Sequence, residues 1–357
     1  MRSLINITDL SVEELQVLMD KALDIIKRPA AYDQSCRGKK IATMFFEPST
    51  RTRLSFEAAM LELGGSVISV SGAGGSSVTK GETLADTAKV VSCYADIIAV
   101  RHPLAGSARE MSKAADIPVI NAGDGGHFHP TQTLADLLTI YREKGRLDGL
   151  NIGICGDLLY GRTVHSLIDA MSRYKGTRFV LIAPNELRVP DNITEKLSTL
   201  GIPFEETTDL EEALPSLDML YMTRIQRERF ENPQTYERLA GCYILDQRKM
   251  RYAKKDCVVL HPLPRVDEIS TDFDGDPRAA YFRQAENGKY MREALILKLL
   301  AEKDLPAPEE NVYSDPRFKC ENKKCVCTHE RGIVHEVYYD TKGALRCAYC
   351  DEEISEE

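Results

Sequence analysis

Phe45-Phe46-Glu47-Pro48-Ser49-Thr50-Arg51-Thr52-Arg53 leaves an apolar, β-branched run at residues 41–46 and enters an apolar-periodic stretch at residues 54–63. It therefore reads as the turn between a β-strand and an amphipathic helix, the unit from which parallel sheets are assembled. Ser49 takes the N-cap position. The N–H groups of the first helical turn then point at whatever lies in front of them, and the helix dipole favours negative charge there. Arg51 adds a bidentate grip suited to phosphate oxygens, and the hydroxyls of Thr50 and Thr52 donate where the backbone does not reach. Ser-Thr-Arg taken alone is more often an ordinary capped helix with surface arginines, so the rest of the chain has to decide.

Outward from that turn, strand-like runs at residues 41–46, 67–70, 97–100 and 119–121 alternate with helical patterns. A second series follows at 152–155, 179–183, 219–221 and 258–260. This predicts an α/β protein of two doubly wound parallel-sheet domains. The Lys-Gly and Asp-Gly pairs of residues 143–149 mark the linker, which puts the domains at 1–145 and 146–284. A helix at 285–304 completes the first domain. Pro306 and Pro308 then break the chain before a small four-cysteine, zinc-ribbon-like module at 306–357.

At 357 residues, 43% hydrophobic and 28% charged, the chain has the make-up of a soluble protein with full cores. Its 46 basic against 55 acidic side chains give a net charge of -9 with no basic run, which argues against nucleic acid as partner. The absence of a signal-type segment and of a long apolar run points to a cytoplasmic protein without membrane contact. Five of the ten cysteines are scattered, and five crowd into the tail. Clustered thiols without a secretion signal bind metal more often than they form disulfides. Cys320-x4-Cys325-x21-Cys347-x2-Cys350 supplies four thiolates for one tetrahedral structural Zn²⁺ per chain, with no open position for catalysis. Cys327 is close enough in sequence to exchange with Cys325.

Several further strings accompany the turn: Lys80-Gly81-Glu82-Thr83-Leu84-Ala85-Asp86-Thr87, Arg101-His102-Pro103, His129-Pro130-Thr131-Gln132, Gly161-Arg162-Thr163-Val164-His165-Ser166 and His261-Pro262-Leu263-Pro264-Arg265. Together they resemble the aspartate and ornithine carbamoyltransferase family, over roughly residues 4–303. The resemblance implies a phosphate site at Ser49, Thr50, Arg51 and Thr52. It places Thr52, Arg101 and His129 around the carbamoyl oxygen, where charge builds as an amine attacks. Gln132 contacts the carbamoyl amino group, and Leu263 and Pro264 offer backbone carbonyls. The Gly/Ser-rich residues 71–77 match a loop that enters the neighbouring active site of a trimer, with Lys80 and either Ser76 or Ser77, here Ser77, closing over the ligands. His102, His127 and His165 are read as packing or capping residues.

For the amine acceptor the resemblance assigns Arg162, Arg224 and Gln226 to the carboxylates of aspartate. Ornithine-specific members carry His-Cys-Leu-Pro and Ser-Met-Gly, which this chain lacks. The implied activity is transfer from carbamoyl phosphate to L-aspartate, giving N-carbamoyl-L-aspartate and phosphate for pyrimidine synthesis. The metal stays outside that chemistry. The tail resembles the zinc domain of the family's regulatory chain, without the nucleotide domain that precedes it there, and so is expected to support catalytic-chain contacts between subunits, with higher assembly through it left open. The alternatives are another amino acid as acceptor, or a non-catalytic scaffold whose zinc module recruits a partner.

Overall fold

The computed structural model describes residues 2–72, 81–225, 233–239, 241–307, 311–314, 317–340 and 342–354. The chain divides into two compact units, Met1–Thr131 with Lys289–Glu357, and Gln132–Gly288. Among the described residues no helix is long and apolar enough to cross a membrane.

In the first unit, strands β1 (Lys40–Phe45), β2 (Ser66–Ser71), β3 (Ile97–His102) and β4 (Val119–Asp124) form a parallel sheet in the order β2-β1-β3-β4. All of β3 and β4 is buried, as is β1 after its first residue. That is why these segments read as continuous apolar runs rather than alternating ones. Strand order runs one way from β1 to β2 and the other way from β1 to β3. The carboxyl ends of β1 and β3 therefore flank a topological switch point, where crossover helices leave a crevice. Helix Thr50–Glu62 starts there.

In the second unit, β5 (Asn151–Cys155), β6 (Arg178–Ile182), β7 (Phe204–Thr207), β8 (Met219–Met222) and β9 (Val258–Leu260) make a parallel sheet in the order β7-β6-β5-β8-β9. Its switch point lies between β5 and β8. The sequence pattern does not reveal β7, whose Glu205 and Glu206 are both exposed. It is an edge strand, and charged side chains are how such edges are kept from pairing elsewhere.

The tail strands β10 (Tyr313–Ser314), β11 (Glu336–Tyr339) and β12 (Leu345–Cys347) form a small antiparallel sheet. This module lacks a large core of its own. Val326, Val337, Leu345 and Tyr349 share one buried cluster with Val100, Ala105, Ala108 and Met111 of the first unit. A two-bond backbone bridge, Ala105 N–H to the Lys324 carbonyl and Val326 N–H to that of Ala105, each 2.9 Å, joins them. Arg109 and Lys113 both reach Glu336, at 2.9 and 2.6 Å, and both cations lie over the Tyr349 ring.

Gly106 shows how tight this seam is. It sits at φ +81, and a Cβ there would lie 2.5 Å from Tyr349 Cβ and 2.6 Å from the Tyr349 carbonyl oxygen. Gly38 has a similar φ of +79 with nothing within 4 Å. Gly106→Ala should lower stability by about 2 kcal/mol or more and expose the tail to limited proteolysis, whereas Gly38→Ala should show only the backbone cost of about 1 kcal/mol. Urea unfolding and protease digestion of the two variants test the contrast.

His102, at the end of β3, fixes the start of helix Ser107–Ala114. Its Nδ1 accepts from Leu104 N–H at 3.1 Å and stands 2.8 Å from the Ser107 hydroxyl. Burial, against the pull of Asp124, pushes its pKa down to about 4, so the folded protein holds it neutral. The unfolded chain protonates it near 6.5. Protons are thus taken up on unfolding between those values, and stability falls as pH drops from 6.5 to 4, by roughly 3 kcal/mol from this residue. Chemical denaturation across that range should show the loss, and His102→Gln should flatten it.

Candidate functional site

The half-site of the first unit lies at its switch point. Ser49 precedes helix Thr50–Glu62 as the N-cap residue, but among the described residues its side chain makes no capping hydrogen bond. The first-turn N–H groups are therefore not capped by that hydroxyl, the condition under which a helix start receives an anion. Thr50 and Arg51 are exposed, whereas Thr52 is buried on the same turn.

Arg101 emerges from the carboxyl end of β3, in register with Phe45 of β1. It is buried, pairs with Glu47 at 2.6 Å, and donates from Nη1 to the Ala122 carbonyl at 3.2 Å. Among the described residues its Nε–H has no acceptor, which leaves a donor for a ligand. An anion in this crevice competes with the Glu47 carboxylate for the same guanidinium. Gly123, at φ +120, makes the space: a Cβ there would meet Arg101 Nη1 at 2.7 Å and His129 Cδ2 at 3.5 Å. Thus Arg101 and His129 both border the one glycine. His129 is buried immediately before helix Pro130–Lys144, with Nδ1 3.5 Å from the Thr131 hydroxyl.

Arg292 completes this layer. It is buried, reaches the Ser55 hydroxyl at 3.1 Å and the Thr131 hydroxyl at 3.4 Å, and lies over the Phe56 ring. It ties the helix after β1 to the His129 segment. Sequence reading passed over it because its helix, Tyr281–Ala301, mixes charged and apolar residues with little periodic order.

In the second unit Gln132 donates to Asp136 at 2.8 Å. Asp136 is fully buried and also accepts from Tyr221 at 3.1 Å and Gln284 at 2.6 Å. Gln284 in turn accepts from His261 N–H at 2.9 Å, and His261 accepts from Leu263 N–H at 2.8 Å. One hydrogen-bonded chain therefore runs from Gln132 to the segment after β9, where Leu263 has φ 51 and the Leu263–Pro264 bond is cis. The hub Asp136 is another residue the motifs did not supply.

Arg162 opens helix Arg162–Met171 after β5, and Arg224 follows β8. Thr223 locks those neighbouring strand ends together. Its N–H donates to the Cys155 carbonyl at 2.8 Å, and its hydroxyl accepts from Asp157 N–H at 3.0 Å. Gly156 permits the approach, since a Cβ there would lie 2.3 Å from the Thr223 carbonyl oxygen. The two arginines thus leave adjacent strands at the switch point. Ser77, Lys80 and Gln226 lie outside the described residues.

In the tail, Cys320, Cys325, Cys347 and Cys350 are buried, with sulfurs all within 4.8 Å of one another. Cys320 to Cys350 is 3.5 Å and Cys325 to Cys347 is 3.9 Å. Disulfide sulfurs sit about 2.05 Å apart, whereas the edges of a tetrahedron with metal–sulfur bonds of about 2.3 Å measure about 3.8 Å. The four thiols therefore fit a metal ion. Cys327 is buried nearby but is not one of the four.

Comparison with known proteins accords with this geometry. Residues 2–142 match the aspartate/ornithine carbamoyltransferase carbamoyl-P binding domain, and residues 148–299 match that family's Asp/Orn binding domain. Residues 311–357 match the metal binding domain of the aspartate carbamoyltransferase regulatory chain. An aspartate carbamoyltransferase catalytic subunit of Lachnoclostridium phytofermentans is 59% identical over 301 residues, 84% of this chain and 98% of that protein. Among solved structures, the catalytic subunit of M. jannaschii aspartate transcarbamoylase superposes with a TM-score of 0.80 at 46% identity, covering 86% of this chain and 100% of that one. Aspartate transcarbamoylase of Trypanosoma cruzi, in complex with N-(phosphonacetyl)-L-aspartic acid, gives 0.79 at 38% identity, covering 84% and 95%.

Proposed function

The chain belongs to the aspartate/ornithine carbamoyltransferase family, and we propose that it transfers the carbamoyl group of carbamoyl phosphate to L-aspartate in pyrimidine synthesis. The observation that carries the choice of acceptor is the arginine pair, Arg162 and Arg224, in the segments that follow adjacent strands at a switch point. Two fixed cations suit a dicarboxylate and repel the side-chain ammonium of ornithine.

In this reading Ser49, Thr50, Arg51 and Thr52 hold the phosphate with backbone N–H groups, hydroxyls and a guanidinium. Thr52, Arg101 and His129 donate toward the carbamoyl oxygen. Gln132, held by Asp136, and the Leu263 and Pro264 carbonyls take the carbamoyl amino group. The neutral amine of aspartate attacks the carbonyl carbon, forming the C–N bond. Negative charge develops on the carbonyl oxygen, toward which the three donors of this reading point their hydrogen bonds. The C–O bond to phosphate then breaks, and the departing phosphate carries off the proton of the amine. Ser77 and Lys80 act across a subunit boundary, so the working form is a cytoplasmic homotrimer with shared sites, and Gln226 orients the aspartate. The ion held by the four tail thiolates is Zn²⁺, structural and remote from the chemistry.

Product formation measured with aspartate, ornithine and N-acetylornithine should be specific for aspartate; equal or faster use of ornithine overturns the assignment. His129→Ala should lower kcat by about 100-fold. Arg224→Ala should mainly raise the KM for aspartate, by roughly 30-fold.

Metal analysis provides a separate check. About one zinc per chain should be present and be lost, together with protection of the tail from protease, on treatment with a strong chelator or in Cys347→Ser. Unchanged metal content in Cys347→Ser would remove that residue from the ligand set.

A further inference from the structure

Among the described residues, the side chain of Asp351 brings the tail to the turn that ends in His129. The segment between β4 and helix Pro130–Lys144, which ends in His129, is a tight turn around Asp124. That buried carboxylate accepts from Phe128 N–H at 2.9 Å, Gly106 N–H at 2.8 Å and the Asn121 amide at 3.0 Å. His127 stands between two carboxylates, with Nδ1 3.3 Å from Asp124 and Nε2 2.9 Å from Asp351. Asp351 follows Cys350 directly, and its other oxygen accepts from the Tyr338 hydroxyl at 2.9 Å. An unbroken polar chain therefore runs from the tail sheet through Asp351 and His127 to the turn that carries His129.

Asp351 is held at φ 60, the left-handed region that glycine favours and that Asp enters more readily than most residues. A turn after a metal-binding pair does not itself require a carboxylate there. A non-glycine residue kept in that region directs attention to what its side chain does.

We propose that Asp351 is a positioning residue for the carbamoyl transfer: through His127 it fixes the His129 segment, so that the metal module completes the catalytic half-site of its own chain. This rests on His129 acting as a donor to the carbamoyl oxygen. Donors of that kind work only when held to within a fraction of an ångström, and a 1 Å error costs on the order of 100-fold in rate. The contact differs in kind from the apolar seam around Tyr349, which meets the turn through the backbone of Gly106 rather than through a tail carboxylate.

Asp351→Gly offers a clean test, since glycine removes the carboxylate while relieving the backbone. The full-length variant should keep its metal and its mass in solution. Its kcat should fall about tenfold, with the KM for aspartate little changed. His127→Gln should fall by a similar factor, and the double variant no further, because both break one chain. Lys89→Gln breaks an exposed ion pair with Asp116, neither of which bonds Asp351 or His127, and should keep full kcat. Full kcat in metal-replete Asp351→Gly, or losses that multiply in the double variant, overturns the proposal. Should Asp351→Gly shed metal, His127→Gln decides: full kcat there overturns it as well. His129→Ala run alongside separates the two readings. If it retains full kcat, the assignment of His129 fails and this inference with it; if it loses kcat while Asp351→Gly does not, only the inference fails.

Discussion

A parallel strand must return to its starting edge through a helix, and that helix has to lie on one face or the other of the sheet. Where neighbouring strands send their helices to opposite faces, the strand ends between them stay uncovered. Both sheets of this chain contain one such place, between β1 and β3 and between β5 and β8. Every described residue proposed for phosphate, carbonyl or carboxylate lies at the end of one of those four strands, follows one of them, or lies in a segment hydrogen-bonded back to them. The chemistry is thus an outcome of strand order, with side chains added at positions that the topology leaves open.

The same economy governs the tail. A short module with few large apolar groups does not bury enough surface to fold alone. This one draws on two sources, four converging thiolates and the apolar face presented by Val100, Ala105, Ala108 and Met111. The seam is also polar where it needs register: Glu336 meets Arg109 and Lys113, and Glu330 accepts from Leu84 N–H at 3.0 Å. Apolar burial supplies the attraction, and these directional contacts fix one orientation.

Much of this was legible in the sequence where the determinants are local. The turn at residues 45–53, the β-branched runs and the cysteine spacing each express themselves within a few residues, and the sheets follow those runs closely. β7 escaped because an edge strand with two exposed glutamates looks like loop. Arg292 and Asp136 escaped for a different reason. Each is a polar residue inside a helix, indistinguishable in sequence from a solvated one, and only the packing shows it buried with hydroxyl or amide partners. Seating of the tail on its own chain is a tertiary fact, and nothing in the spacing of Cys320 to Cys350 encodes it.

The histidines make the boundary of sequence reading concrete. His102 and His127 were both classed as packing or capping residues, and the structure gives them opposite electrical states around the same Asp124. His102 spends Nδ1 as an acceptor for Leu104 N–H, which requires the neutral ring. His127 has a carboxylate at each nitrogen. Burial works against charging it, but Asp124 and Asp351 outweigh burial and raise its pKa to about 10. One is a neutral peg that starts a helix; the other is a half-buried cation that joins two carboxylates which would otherwise repel. The residue type is the same for both, so the difference is set by what the fold places against each nitrogen. For His127, half of that placement is contributed by a residue 224 positions away.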